Sequence, residues 1–262
     1  MTAFRKTASP AAIASEAASL RWLAAAGGAP VVPLLATGPE WLETRLLHTV
    51  AATPAAAEAF GRALAATHAA GADWFGQGPP GLEDSRLAEL PQPLVATAAE
   101  AATSWGPFYA QARVRPYLRL ARDRGHLTDS EVLDAVLDRL ESGDLDAPQP
   151  GGSPAVARLH GDLWGGNVLW SDGHPDTGGR VAGVLIDPAA HGGHAETDLA
   201  ELALFGSPFL ERTLAAYDEA SPLAPGWRDR VALHQLHMLV VHAALFGGGY
   251  GAQALRAARP YR

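Results

Sequence analysis

A polar loop between short apolar runs constrains this chain more than any other feature. The loop reads HGDLWGGN over 160–167, an apolar run follows it, and a second apolar run, Val181–Ile186, ends at Asp187. Apolar runs of this length on either side of a turn-forming segment predict a β-hairpin. Such a hairpin would bring Asp162, Asn167 and Asp187 to one end, where their side chains can converge on one point.

These three side chains suit the chemistry of a hard cation. Mg²⁺ takes oxygen ligands and leaves its other positions to water and phosphate oxygens. Asp187 and the carboxamide oxygen of Asn167 would supply the protein ligands, and Asp162 would accept a proton from a substrate hydroxyl. Kinase-like folds use this spacing for phosphoryl transfer. The alternative is that each residue only caps a turn, but the occurrence of all three at this spacing favours function.

A single lysine stands in a chain that otherwise uses arginine. Lysine and arginine together number 20, and only Lys6 is a lysine. Lys6 lies in a strand-like start, and Glu16 lies in the first turns of the following helix. A strand lysine held by a helix glutamate reaches the phosphates in a kinase nucleotide site. The alternatives are a chance survivor for Lys6 and ordinary helix-dipole chemistry for Glu16.

The composition excludes several classes of protein. The 262 residues contain no cysteine, which excludes disulfide scaffolds, thiolate metal sites and thiol nucleophiles. A formal net charge of −8, with basic residues spread along the chain, argues against a nucleic-acid or acidic-membrane partner. No apolar run approaches the ~20 residues of a bilayer span, and the first residues carry no signal-peptide pattern, so we expect a cytoplasmic protein. The oligomeric state stays open.

Hydrophobic periodicity predicts an α+β chain with a small β-containing front and a larger helical body. Two short strand-like runs lie around Gly38-Pro39 in the front. In the body, Thr53-Pro54 should open a helix, because a threonine cap followed by a first-turn proline is a helix start. The other predicted segments are a helix over 14–26, an irregular region over 76–107, and helices over 107–124 and 227–246.

The catalytic block resembles one kinase family. The string HGDLWGGNVLW, followed by IDPAAHGGHAETDLAELALFG, is similar to the fructosamine kinases (ketosamine-3-kinases), a branch of the aminoglycoside phosphotransferase-like kinases. The wider group shares the HGD and the downstream asparagine, and the tryptophan of HGDLW points to the fructosamine kinases. The segments FRKTA, WLETRL and VVHAALFGGGY extend the resemblance over nearly the whole chain.

The resemblance implies a protein-kinase-like, two-lobed fold and an enzyme dependent on ATP and Mg²⁺. The enzyme would phosphorylate a sugar hydroxyl of a ketosamine, meaning a fructosamine or ribulosamine, free or protein-bound. In the family this step destabilises the adduct and releases the amine, which repairs glycation. The roles it implies are Asp162 as proton acceptor, Asn167 and Asp187 as magnesium ligands, Lys6 and Glu16 as the phosphate-reaching pair, Glu43, Thr44 and Arg45 as the hinge whose backbone meets the adenine, and Trp164 and His242 as the substrate wall.

The front of the chain departs from the family pattern. Members ordinarily carry two strands and a glycine-containing turn before the lysine strand, whereas the lysine here is the sixth residue. We therefore expect a partial nucleotide-binding small lobe over 1–47, without those strands and the glycine loop, and a helical catalytic and substrate lobe over 48–262. Because an unpaired strand edge costs stability, we expect the 262-residue form to be poorly stable or weakly active.

Other functions remain open at this point. The chain could be a different small-molecule kinase of the aminoglycoside or choline kinase type, or, with an incomplete lid, a nucleotide-binding protein without catalysis. A zinc hydrolase built on His191 and His194 is disfavoured, because the two glycines between these histidines argue against a rigid ligand pair. We expect His194 and Glu196 to order the loop after Asp187, and Asp198 to cap the next helix or brace the catalytic loop.

Overall fold

The front of the molecule is a small antiparallel sheet with one helix. The computed structural model describes residues 2–128, 130–152 and 154–262. Strands β1 (Ala3–Thr7), β2 (Leu34–Thr37) and β3 (Trp41–Arg45) pair in the order β1-β3-β2. The register places Lys6 opposite Leu42. Within the described residues β1 is therefore an edge strand, and its lysine side chain lies on the face that the following helix covers.

Helix α1 (Pro10–Ala24) follows β1 directly. Ser9 caps it by accepting the N–H of Ala12 at 3.4 Å, and proline occupies the first turn, where a missing N–H costs nothing. The helix thus starts four residues before the predicted 14–26, because this proline and the serine cap extend it towards the strand. Ile13, Leu20 and Leu23 form its buried face.

A short connection over 46–53 joins the front sheet to the helical body. Helix α2 (Pro54–Ala69) begins at the predicted cap, where the Thr53 hydroxyl accepts the N–H of Ala56 at 3.2 Å. Gly61, in the middle of α2, allows close packing against a later helix, since a Cβ there would lie 2.2 Å from the Thr213 carbonyl oxygen.

The region over 76–107 is less irregular than predicted. It contains a small hairpin of β4 (Ser85–Leu87) and β5 (Leu90–Gln92). The next helical segment runs through α3 (Trp105–Phe108), a π-helical stretch over Tyr109–Val114, and α4 (Arg115–Asp123). The π-helical stretch ends beside Pro116, which has no N–H for the regular ladder.

The predicted catalytic hairpin forms in the middle of the body. Strand β7 (Val168–Ser171) pairs antiparallel with β8 (Ala182–Leu185). A second pair, β6 (Ala157–Leu159) with β9 (His191–Gly193), flanks the loop before β7. Strand β9 was not predicted, because its sequence, HGG, carries no β-type pattern.

Two backbone–backbone hydrogen bonds tie the front of the chain to this hairpin. The N–H of Leu185 donates to the Pro30 carbonyl at 2.8 Å, and the N–H of Val32 donates to the Leu185 carbonyl at 3.0 Å. We call this contact the strap. It places the front sheet directly beside the end of β8, where Asp187 follows.

Helices fill the rest of the body. A large apolar cluster lies under α4 and its neighbours, and a second one includes Leu64, Leu185 and Leu199 beneath the hairpin. None of the described helices combines the length and hydropathy of a membrane span. The predicted helix over 227–246 is two helices with a break at Gln235. The remaining helices are α5 (Glu131–Glu141), α6 (Ala195–Leu204), α7 (Leu210–Ala220), α8 (Trp227–His234), α9 (Leu236–Phe246) and α10 (Tyr250–Ala258).

Candidate active site

The hairpin brings the three predicted oxygen-bearing side chains to one cleft. The amide nitrogen Nδ2 of Asn167 donates to the Asp162 carboxylate at 3.0 Å and to the Asp162 carbonyl at 2.8 Å. Because the amide nitrogen faces Asp162, the carboxamide oxygen is the atom that Asn167 presents to a cation. Asp162, Asn167 and Asp187 line the same cavity, of about 330 Å³.

Lys6 and Glu16 meet Asp187 from the opposite side of the cleft. Lys6 Nζ lies 2.7 Å from Glu16 Oε2 and 3.0 Å from Asp187 Oδ1. The backbone of Asp187 is left-handed, with φ at 51°. This conformation is uncommon outside glycine and is found at functional sites. Here it turns the carboxylate out of the strand direction and towards the lysine.

Burial and neighbouring charges together shift the pKa values in the cleft. Desolvation raises the pKa of Asp162 to about 7, although the hydrogen bond from Asn167 lowers it. Burial lowers the pKa of Lys6, but the Glu16 and Asp187 carboxylates outweigh it and raise that pKa above its usual value. Lys6 therefore stays positively charged. Asp162 has a pKa near neutral pH, which is the range that suits a general base.

A second, mostly apolar cavity of about 400 Å³ adjoins the cleft. It shares Lys6, Glu16 and Asp187 with the cleft. Its remaining walls carry few charges. The residues that line them come from β1, the strap, β3, the connection after β3 and the hairpin with the residue after it: Phe4, Val32, Leu42, Thr44, Arg45, Leu46, Leu47, Thr49, Leu169 and Ile186. A flat, weakly polar group attached to phosphates would fit across the two cavities.

The predicted hinge residues lie inside β3 rather than after it. Thr44 and Arg45 line the apolar cavity, whereas Glu43 turns away and pairs with Arg5 at 2.7 Å. The N–H of Arg45 donates to the Pro33 carbonyl at 2.9 Å. The segment that links the sheet to the body starts at the residue after Arg45. The contact of Glu43, Thr44 and Arg45 with an adenine stays a prediction.

Helix α6 holds the loop that carries Asp162. Asp198 is fully buried, and its two carboxylate oxygens accept the N–H groups of His160 at 2.7 Å and Gly161 at 3.0 Å. His68 lies 3.1 Å from the same carboxylate. Asp198 therefore braces the catalytic loop, one of its two expected roles. His68 was not predicted to take part, since a histidine in an apolar helix carries no sequence signal of such a contact.

Exposed aromatic rings form a wall beside Asp162. Trp164 is 39% exposed and meets Phe205 edge-on at a centroid distance of 6.0 Å. Phe205 in turn lies 5.0 Å from His242, so the structure brings the two predicted substrate residues into one cluster. The Nδ1 of His242 donates to the Met238 carbonyl at 2.8 Å, which leaves Nε2 as the acceptor of a neutral ring. Phe205 was missed, because only the fold places the end of α6 beside Trp164.

The two histidines after Asp187, His191 and His194, have structural roles. His191 binds Gln92 Nε2 at 3.0 Å and Arg113 Nε at 3.2 Å. His194 does lie near Glu196 and His234, close enough for a shared metal. Its two ring nitrogens, however, contact the Glu196 N–H and the Ala147 carbonyl. Arg230 also holds Glu196 at 2.6 Å, and a guanidinium in this place opposes a metal ion.

The ion pair of Glu196 with Arg230 makes the free energy of unfolding depend on pH. Burial raises the pKa of Glu196, but the His234 ring, 3.4 Å away, and two hydrogen bonds from Arg230 outweigh it and hold that pKa at about 2, against 4.5 for a free side chain. The stabilisation is therefore complete above pH 4.5 and is lost as the pH falls towards 2. Glu196→Gln should lower the free energy of unfolding by about 3 kcal/mol at pH 6. Urea unfolding at pH 6 and pH 3 measures it; a difference between the two proteins that does not shrink at pH 3 would contradict this assignment.

The comparisons with known proteins agree with this geometry. The family model described as fructosamine kinase matches residues 3–260. A probable ketoamine kinase of Synechocystis sp. is 36% identical over 74% of this chain and 58% of its own length. Ketosamine-3-kinase of Mus musculus is 32% identical over 60% of this chain and 46% of its own length. The chain thus matches about half the length of these curated relatives.

Solved structures extend the likeness to the fold. A crystal structure from Thermobifida fusca, named "putative fructosamine-3-kinase", is 42% identical, with a TM-score of 0.85, and covers 99% of this chain and 85% of that one. Choline kinase LicA from Streptococcus pneumoniae shares the fold at 15% identity, with a TM-score of 0.62 over 99% of this chain and 85% of that one. The predicted protein-kinase-like α+β fold is therefore confirmed. By the family model, which matches nearly the whole chain, this protein belongs to the fructosamine kinase family.

Proposed function

We propose that the protein transfers the γ-phosphoryl group of ATP to a sugar hydroxyl of a ketosamine, a fructosamine or ribulosamine. The observation that carries this proposal is the meeting of Lys6, Glu16, Asp162, Asn167 and Asp187 at one cleft with an apolar cavity beside it. Family membership and the named ketoamine kinases among its relatives support the substrate class. Release of the amine, and hence a role in deglycation, belongs to the same proposal.

In this proposal Asp162 is the general base. Its carboxylate lies at the bottom of the cleft, oriented by the Asn167 amide, and it takes the proton of the attacking hydroxyl as the oxygen bonds to the γ-phosphorus. The bond from that phosphorus to the bridging oxygen breaks, and ADP leaves. A pKa of about 7 gives Asp162 enough proton affinity to serve as the acceptor near neutral pH.

The donor set at the cleft fits magnesium. The carboxamide oxygen of Asn167 and the carboxylate of Asp187 are hard oxygen ligands on one cavity wall, which is the kind of partial set that Mg²⁺ uses. When bound there, Mg²⁺ would neutralise charge on the phosphates. Lys6, fixed by Glu16, would hold the α- and β-phosphates. Residues 1–47 would then act as the nucleotide lobe and 48–262 as the catalytic and substrate lobe.

Trp164 would pack on the sugar ring, since a flat indole face packs well on a sugar. The indole of Trp164 packs over Gly166, where an added Cβ would lie 2.1 Å from it. Gly166→Ala should therefore displace Trp164 and raise the KM for the ketosamine about tenfold, while the KM for ATP stays unchanged. Steady-state kinetics measure both. Gly173→Ala is the control, because its nearest atom is 3.6 Å away; an unchanged ketosamine KM in Gly166→Ala would remove the stacking role.

An ATP-consumption assay with synthetic ribulosamine and fructosamine side by side tests the function. The proposal predicts ATP consumption with at least one of them, followed by release of the amine. Consumption only with choline or an aminoglycoside would instead support another small-molecule kinase of this fold. Binding of ATP without consumption of it with any of these acceptors would support a nucleotide-binding protein without catalysis.

A further inference from the structure

Glu201 carries a buried carboxyl group that the proposed chemistry does not use. It lies in α6 and is 1% exposed. Its Oε2 accepts the main-chain N–H of Leu163 at 2.8 Å. Leu163 directly follows Asp162, so Glu201 contacts the peptide unit that carries the proposed base into the rest of the loop.

Glu201 and Asp198 lie three residues apart on one face of α6. Between them they accept three N–H groups of the loop, those of His160 and Gly161 at Asp198 and that of Leu163 at Glu201. The N–H of Asp162, between Gly161 and Leu163, donates to the ring of His160 at 3.2 Å. The orientation of the loop on either side of Asp162 is thus set from one helix.

Stability alone does not account for a glutamate at this position. Burial raises the pKa of Glu201 well above its usual value, and among the described residues its Oε1 has no hydrogen-bond partner. His237 Nδ1 lies 3.9 Å from Oε1, beyond a hydrogen bond. A buried carboxyl with one unsatisfied oxygen costs folding free energy, and an apolar side chain of similar volume would avoid that cost.

We propose that Glu201 is a positioning residue for Asp162. By holding the Leu163 N–H it fixes the peptide after the base, and with it the direction in which the Asp162 carboxylate meets the acceptor hydroxyl. This inference rests on the proposed function for its kinetic readout only. A displacement of about 1 Å at a reacting group can lower the rate on the order of a hundredfold. The loss of one hydrogen bond that fixes the loop at this place should therefore have a large effect on kcat.

Three variants of α6 separate positioning from folding. Glu201→Met keeps the volume but removes the acceptor, Glu201→Gln keeps an acceptor oxygen, and Glu196→Gln disturbs a second buried glutamate on the same helix that pairs with Arg230 instead of the loop. We expect Glu201→Met to lower kcat about 10- to 100-fold with an unchanged KM for ATP and an unchanged or higher Tm. Glu201→Gln should have the kcat of the wild type, and Glu196→Gln should lower Tm without lowering kcat.

Amide hydrogen exchange of the segment 160–167 is a readout that needs no substrate. Exchange at the Leu163 amide should be at least about tenfold faster in Glu201→Met and unchanged in Glu201→Gln and Glu196→Gln. If the wild type consumes no ATP with any of the ketosamines, the proposed function fails, but the exchange measurement still tests the positioning role of Glu201. Wild-type kcat or wild-type exchange in Glu201→Met would overturn the inference, and so would a Glu201→Gln variant as impaired as Glu201→Met.

Discussion

Asp162→Asn should lower kcat for ketosamine phosphorylation by about a thousandfold and leave the Kd for ATP within about twofold of wild type. In the proposed mechanism the Asp162 carboxylate takes the proton of the acceptor hydroxyl, and an amide cannot take it. The proposed mechanism assigns the nucleotide contacts to other side chains of the same cavity, Lys6, Asn167 and Asp187, so binding should persist. Steady-state kinetics and isothermal titration calorimetry with the nucleotide measure the two quantities.

The control for this variant is Asp176→Asn, in the turn of the same hairpin. The side chain of Asp176 is 87% exposed, and its replacement should change neither quantity. Two results would contradict the assignment of Asp162. One is an Asp162→Asn protein with wild-type kcat, and the other is a parallel loss of ATP binding, which would indicate a damaged cleft instead of a missing base.

Lys6→Met should lower kcat/KM for ATP by about a hundredfold. A hydrogen bond to a charged group contributes about 1.5–3 kcal/mol, and 2.7 kcal/mol corresponds to about a hundredfold. The substitution also leaves Glu16 and Asp187 without their shared cation, so two carboxylates would face the phosphates of ATP. The KM for the ketosamine should change little, because the proposed mechanism assigns the ammonium group to the phosphates of ATP and not to the acceptor.

Arg5→Met is the matched control, on the neighbouring position of β1. Arg5 points to the other face of the strand and pairs with Glu43. Its replacement should leave kcat/KM for ATP within about twofold, since exposed ion pairs contribute on the order of 0–1 kcal/mol. A Lys6→Met protein that matches this control would show that the single lysine of the chain has no part in nucleotide binding.

The catalytic hairpin was predictable because its information is local. Asp162, Asn167 and the strand of Asp187 lie within one short segment, where a period of two and a turn decide the geometry. The fold class followed from the same local patterns and from the resemblance, and Thr53 opens its helix as its type and position predict. The start of α1, in contrast, was misplaced by four residues, because a proline at a first turn does not interrupt a helix.

The contacts across the site could not be predicted from local patterns. Lys6 and Asp187 are 181 positions apart, and no periodicity reports that a strand and a hairpin end will face each other. The role of Glu201 was missed for a similar reason, since an acidic residue one turn after Asp198 reads as an exposed helix position. Phe205 joined the aromatic wall only through the packing of α6. Glu43 lies inside β3 and its side chain pairs with Arg5, away from the apolar cavity, an orientation that the motif alone does not indicate.

The strap has a mechanical consequence for the cleft. Two backbone hydrogen bonds at Leu185 join the front of the chain to the hairpin, and Asp187 follows two residues later. An opening of the cleft that keeps these bonds would leave the backbone around Leu185 in place. Asp187, two residues from the strap, would then move little, whereas the far end of the front sheet would move furthest.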